Sequence, residues 1–275
     1  MKLIARTLAV LALFGSALRA DAAALILNEY NAVNDDGFLK DGAADPYFGR
    51  VLGNGGDWFE LVVITDHLDV RGWSLDTAEG SPVTPDETLT LSQSALWSDL
   101  RSGTIITISE LVPDDVSYDP AHGDWWINAQ AADAASGALV TASNFKVTNQ
   151  NWQLTIRDAL GNVVFGPAGE GISPVSGIGG DEIWKLEANP SAAITPLSSS
   201  YKDGSSSTFG APNRFNAGQD VQDFSALRSV VPEPALLAWL ALALVGGRAK
   251  AALSEARKRR STGRVPVRSP VRRAQ

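Results

Sequence analysis

Four groups of residues in this chain have types and spacings that chemistry could use. The first is an acidic stretch, Asn34-Asp35-Asp36-Gly37-Phe38-Leu39-Lys40-Asp41-Gly42-Ala43-Ala44-Asp45. Calcium takes roughly six to eight oxygens at about 2.4 Å, and Asp35, Asp36, Asp41 and Asp45 are side chains that supply them. The spacing is not that of an EF-hand loop, and solvated turn residues give a plainer account of the same stretch. No resident cofactor is expected, with calcium as the one candidate. The second group is Glu29 and Glu60, a carboxylate pair able to run glycoside chemistry if their strands are neighbours; otherwise both belong to the strand framework. The third is His67 and His122, the only histidines, each with aspartates close in sequence. Such pairs can enter a metal site or a serine triad. No G-x-S-x-G, H-E-x-x-H or Walker pattern accompanies them, so exposed turn histidines are expected. The fourth is Trp125-Trp126, whose side chains must face opposite ways on an extended backbone. One ring exposed as a platform for sugar or protein is weighed against one ring in the core and the other shielding its rim, and the second is preferred.

The elements that must position these groups read as strands. Trp152-Gln153-Leu154-Thr155-Ile156-Arg157 alternates apolar and polar residues, the period of a half-buried strand. The turn Asp158-Ala159-Leu160-Gly161-Asn162 then leads into Val163-Val164-Phe165, which predicts a hairpin. Further strands are predicted over 25–30, 58–65, 72–75, 88–91, 104–109 and 182–186, with Trp58, Trp73 and Trp152 in the core. Residues 34–56, 113–124 and 129–144 are long, polar or rich in Ala and Gly and read as loops. Residues 198–220, with two Ser triplets, read as an irregular closing segment. Many short strands separated by turn residues predict an all-β antiparallel sandwich.

Charge divides the chain in three. Residues 1–20 hold three bases and no acid, residues 248–275 ten bases and one acid, and residues 21–231 ten bases against 29 acids, a net of −19 within a total of −8. An acidic body argues against nucleic acid as a partner. The absence of Cys excludes disulfides, Cys–zinc sites and thiol nucleophiles. At the N-terminus Lys2 and Arg6 precede an uncharged run over 8–18, then Ala20-Asp21-Ala22. Basic start, short apolar run and small-x-small site are the three parts of a secretory signal peptide; signal peptidase is an expected partner, with cleavage at Ala20–Ala22 and residues 1–22 removed.

Near the other end, Val231-Pro232-Glu233-Pro234 precedes an apolar run over 235–247 and then a cluster, Arg257-Lys258-Arg259-Arg260. Thirteen residues of helix span only about 20 Å, short of the ~30 Å hydrocarbon core, unless Arg248 and Lys250 snorkel. A Pro-Glu-Pro triplet, a short apolar helix and an Arg-rich tail resemble a PEP-CTERM protein-sorting signal. The resemblance implies processing by a membrane exosortase at or near Pro232, Glu233 and Pro234. An ordinary single-span anchor with a proline-rich lead-in is the alternative. Either way the membrane is a partner through the C-terminal helix.

A second resemblance runs through the body. Leu25-Ile26-Leu27-Asn28-Glu29-Tyr30, Gly56-Asp57-Trp58-Phe59-Glu60-Leu61-Val62 and Leu68-Asp69-Val70-Arg71-Gly72-Trp73-Ser74-Leu75 resemble the opening strands of a lamin-tail domain. So do Leu100-Arg101-Ser102-Gly103-Thr104-Ile105-Ile106, the hairpin at 154–164 and the turn Ser207-Thr208-Phe209-Gly210-Ala211-Pro212-Asn213. Long insertions at 34–56 and 113–145 depart from that pattern. The resemblance implies an immunoglobulin-like β-sandwich with Glu29 and Glu60 in its framework.

The expected organisation is therefore a signal peptide at 1–22 and a lamin-tail-like sandwich at 24–214. A linker at 215–231, a sorting signal at 232–260 and a basic disordered tail at 261–275 follow. A signal helix and a short transmembrane helix flank the body. The expected function is a non-enzymatic module, exported and held transiently by its C-terminal helix. It would be displayed at the envelope or in the exopolysaccharide matrix of a Gram-negative bacterium, with exopolysaccharide or surface proteins as partners. A carbohydrate- or calcium-dependent binding module is the alternative, and an exported hydrolase the third reading.

Overall fold

The computed structural model describes residues 23–229, apart from 80–84, 133–134, 137, 142–145, 171 and 173–176. The signal helix, the Ala20–Ala22 region, Pro232-Glu233-Pro234, the apolar run and the basic tail lie outside the described residues. Among those described, fourteen strands and four short 3-10 turns alternate, with no α-helix. No described helix is long and apolar enough to cross a membrane.

The strands are β1 (Leu25–Asn31), β2 (Trp58–Val63), β3 (Ser74–Glu79), β4 (Glu87–Leu91), β5 (Ile105–Ser109), β6 (Trp126–Ala132) and β7 (Ala135–Ser136). They continue with β8 (Val140–Thr141), β9 (Trp152–Arg157), β10 (Val163–Gly169), β11 (Ile183–Leu186), β12 (Tyr201–Gly204), β13 (Arg214–Phe215) and β14 (Asp220–Val221). One sheet has the order β12-β11-β1-β2-β5-β6-β7, and a second β10-β9-β3-β4-β8; β13 and β14 form a separate ribbon. Side chains from both large sheets meet in one apolar core. Leu25, Leu27, Tyr30, Phe59 and Leu61 from the first sheet lie with Leu75, Leu89, Trp152, Leu154 and Ile156 from the second. The fold is all-β and sandwich-like.

Every strand expected from the sequence is present, with shifted ends. The third starts at Ser74 rather than residue 72, because Trp73 closes a turn by donating its N–H to Val70 O at 3.1 Å. The predicted hairpin forms: Asp158 Oδ1 accepts the N–H groups of Leu160 and Asn162, both at 2.9 Å, and Gly161 takes the left-handed φ of 84°.

Three expectations need correction. Residues 129–132 belong to β6 and 140–141 to β8, not to a loop. The sheet is not wholly antiparallel, since β5 and β6 run parallel with Ile106 opposite Ile127. A parallel pair needs a connection of about a dozen residues or more, and the 110–125 stretch provides it, so its length serves topology. Finally, the closing region carries β12, β13 and β14, and beyond them Phe224 is buried. Arg228 packs over the Trp125 ring at 4.9 Å and donates to Gly103 O. The stretch expected to be a linker from 215 thus continues the packed body as far as Arg228.

Candidate functional site

Strands β1 and β2 are buried along their whole length, so the sheet has a covered outer face as well as an inner one. Period-2 geometry assigns the residues. Phe59 and Leu61 point to the shared core, while Trp58 and Glu60 point out. A register shift between Leu27 and Glu29 places Glu29 opposite Glu60. A second apolar cluster covers this face: Val33, Leu39, Trp58, Val112, Ile183 and Phe209. The 34–56 insertion and the 207–213 turn supply the cover.

The insertion is fastened by backbone-directed hydrogen bonds. Asn31 Nδ2 donates to Gly53 O at 2.8 Å and Gly56 O at 2.7 Å. Trp58 Nε1 donates to Asn54 O at 3.0 Å, and Asn54 Nδ2 to Ser207 Oγ at 2.9 Å. Asp45 Oδ1 accepts from Tyr47 N at 2.7 Å and Phe48 N at 3.2 Å, closing a tight turn. Phe48 and Tyr47 then lie against Phe209, with centroids 4.7 and 5.0 Å away.

Under this cover three carboxylates converge on one turn. Thr208 donates its N–H to Glu29 Oε1 at 3.0 Å and its hydroxyl to Glu29 Oε2 at 2.7 Å. Phe209 N–H and the Ser207 hydroxyl donate to Asp45 Oδ2 at 2.9 and 2.5 Å. Gly210 N–H donates to Glu60 Oε2 at 2.5 Å, while Glu60 Oε1 is buried without a hydrogen bond. Glu29 and Glu60 are 0 % exposed and Asp45 2 %. Burial pushes the Glu29 carboxyl up to about 7, against the lowering pull of the Lys185 ammonium and the Thr208 hydroxyl. Burial, and then the charge of Glu29, hold Glu60 well above the usual carboxylate range. Burial also lowers the Lys185 ammonium, although Glu29 pulls it the other way.

Beside the carboxylates lies a neutral amide network. Asn213 donates through Nδ2 to Asn28 O and Leu186 O, each at 3.1 Å, and accepts from Asn28 Nδ2 at 3.0 Å. Gln222 Nε2 reaches Asn28 Oδ1, Leu186 O and Ala188 O, all at 2.9 Å. The two residues flank the β13–β14 ribbon and fix both its ends to β1 and β11.

The acids of the 34–45 stretch are not brought together. Asp45 is consumed in the carboxylate junction and Asp41 is exposed with φ 59°. Asp35 and Asp36 line a cleft of about 450 Å³ with Asn34, Asp57 and Lys146. Among the described residues no group of three or more His, Asp or Glu side chains is placed to hold a metal ion. Burial raises the Asp57 carboxyl to about 7, with the charges of Glu110 and Asp35 adding to the shift and the Val147 N–H opposing it.

Each histidine pairs with an aspartate in its own neighbourhood: His67 Nδ1 lies 2.7 Å from Asp99 and His122 Nδ1 2.6 Å from Asp119, all exposed. Trp125 lies under Arg228. Trp126 donates to Thr107 Oγ1 at 2.8 Å and stands edge-on to Phe209 at 5.8 Å. Gly210, at φ 71°, leaves the space that the Trp126 ring fills; a Cβ there would lie 2.8 Å from it.

Asn28, Asn54, Lys185, Ser207 and Gln222 are junction residues that the sequence did not single out. The available signal was an acid and amides inside strands otherwise apolar, LILNEYN and WFELVV, since such groups inside a core require partners. Comparison with family models, curated proteins and solved structures gives no match to this chain.

Proposed function

We propose that this chain is an exported, non-enzymatic β-sandwich of immunoglobulin-like, lamin-tail-like build. It is sorted through the Pro232-Glu233-Pro234 signal and displayed at the envelope or in the exopolysaccharide matrix of a Gram-negative bacterium. Its partners are a signal peptidase, an exosortase-type enzyme and the membrane before processing, and matrix polysaccharide or surface proteins afterwards.

One observation carries this reading. The segments quoted for the lamin-tail resemblance are those whose polar residues meet: the side chains of Asn28, Glu29, Glu60, Thr208 and Asn213 are all buried in one junction. Their function there is to fasten strands and turns, as expected of a display module. The same burial argues against glycoside chemistry at Glu29 and Glu60, because no substrate reaches a carboxylate sealed beneath the turn that it binds.

Mass spectrometry of the protein isolated from the cell surface tests the proposal. A C-terminus at or near Pro234, with an N-terminus near Ala23, is the expected result. An intact Gln275 would replace sorting by a plain anchor, and an intact Met1 would remove export by a cleaved signal.

A further inference from the structure

The carboxylate junction holds more potential negative charge than its surroundings balance. Glu29 comes from β1, Glu60 from β2 and Asp45 from the insertion. The cation that acts on Glu29 is Lys185 of β11, whose Nζ also donates to Ser206 O at 2.8 Å and lies 3.9 Å from Glu187. Three ionised carboxylates against one ammonium would leave two net negative charges in a site without solvent. Directly opposite residues of an antiparallel pair hold their Cβ atoms only about 5 Å apart, so Glu29 and Glu60 cannot both ionise without strong repulsion. Glu60 Oε1 has no donor to lose, so a proton there sacrifices no hydrogen bond.

The turn that these groups hold is also a structural keystone. Ser207, Thr208, Phe209 and Gly210 give their donors to the three carboxylates. Asn213, three residues on, ties the β13–β14 ribbon and Gln222 to the sheet. From there the chain runs to Arg228, packed over Trp125 and Phe224.

We propose that the opposed pair Glu29 and Glu60 forms a pH-sensitive latch. Sharing a proton, the pair holds the 207–213 turn, which Asp45 also binds, against the outer face of the sheet. As Glu29 and Glu60 ionise together the latch loosens, and the 207–213 turn gains freedom while the inner core, with Phe224 in it, stays closed. The sign follows from linkage. A carboxyl raised in the folded state leaves the fold at full stability below its unfolded value of about 4.5, and that contribution is lost as pH rises through the folded value, about 7 for Glu29.

Hydrogen–deuterium exchange on the full chain, with each amide normalised to its own intrinsic rate, tests the latch between pH 5 and pH 8. Protection at Thr208, Phe209 and Gly210 should fall about tenfold or more, the equivalent of a one-unit shift in one group. Leu61 and Ile106 in the inner core, which exchange through global opening and feel the same linkage, should stay far better protected than the turn at both pH values. Glu60→Gln should flatten the dependence at the turn, and Glu29→Gln serves if that variant does not fold. Asp57→Asn, which alters an acid titrating elsewhere, should leave the turn's dependence in place. Unchanged protection at the turn, turn amides as well protected as Leu61 and Ile106 at pH 8, or flattening by Asp57→Asn alone would each overturn the latch.

Discussion

The two faces of the β1–β2 region are equally buried, but different physics buries them. On the inner face Tyr30, Phe59, Leu61 and Trp152 make an apolar core, with Tyr30 and Trp152 rings 4.7 Å apart and Phe59 and Trp152 5.5 Å. Apolar burial is worth about 25 cal/mol per Å² and has no titrating group. The outer face is closed by carboxylates, amides and a turn, with aromatic rings stacked above. Each of its buried polar groups contributes little when satisfied and costs much when stripped of a partner. The inner face should therefore supply stability that is indifferent to pH, and the outer face specificity that depends on protonation.

The largest expected effect is on the inner face. Trp152→Ala should lower the unfolding free energy by about 3–5 kcal/mol in urea titrations, by the same amount at pH 5 and pH 8. A loss that changed with pH would mean the two faces are not separable. Phe209→Ala removes the ring at the centre of the outer cluster. It should cost about 3 kcal/mol at pH 5 and measurably less at pH 8, where the turn carrying the ring is already loosened. Equal losses at both values would make the outer face an ordinary core. Thr208→Val keeps the shape but withdraws the hydroxyl from Glu29 Oε2. A cost of about 1–2 kcal/mol is expected from the stranded acceptor, read as a shift in denaturant midpoint at constant slope.

Asp57→Asn addresses the cleft. With the carboxyl raised from its ordinary value to about 7, its stabilising influence is full below pH 4 and lost between pH 4 and 7. The variant should thus outlast the wild type in thermal melts above pH 7 and show a shallower pH profile. Smallest of all, Arg71→Ala breaks an exposed pair with Asp69 and should leave the melting temperature unchanged within error.

How much of this was legible in the sequence can be judged residue by residue. The alternation in Trp152–Arg157 and the turn at Asp158–Asn162 located β9 and the hairpin, because both are local. Glu29 and Glu60 were recognised as a carboxylate pair, and the register opposes them. Their partners were not legible, because Thr208 lies 179 positions from Glu29 and Gly210 lies 150 from Glu60. Asp45 shows the same limit from the other side: grouped by sequence with Asp35, Asp36 and Asp41, it parts from them in space. Strands β13 and β14, of two residues each, have too few positions to display a period.

What the sequence determined by itself was the set of local choices: strand periods, Gly and Asp turns, the acidic body between basic ends, and the absence of Cys. Each depends on neighbours within a few residues, so the order of letters suffices. Only the tertiary structure decided which face each acid met, that β5 and β6 pair in parallel, and that three carboxylates share one turn. These depend on contacts across up to 179 positions. The physical reason is that a buried charge is defined by its surroundings, and those are assembled only when the sheet and its cover close.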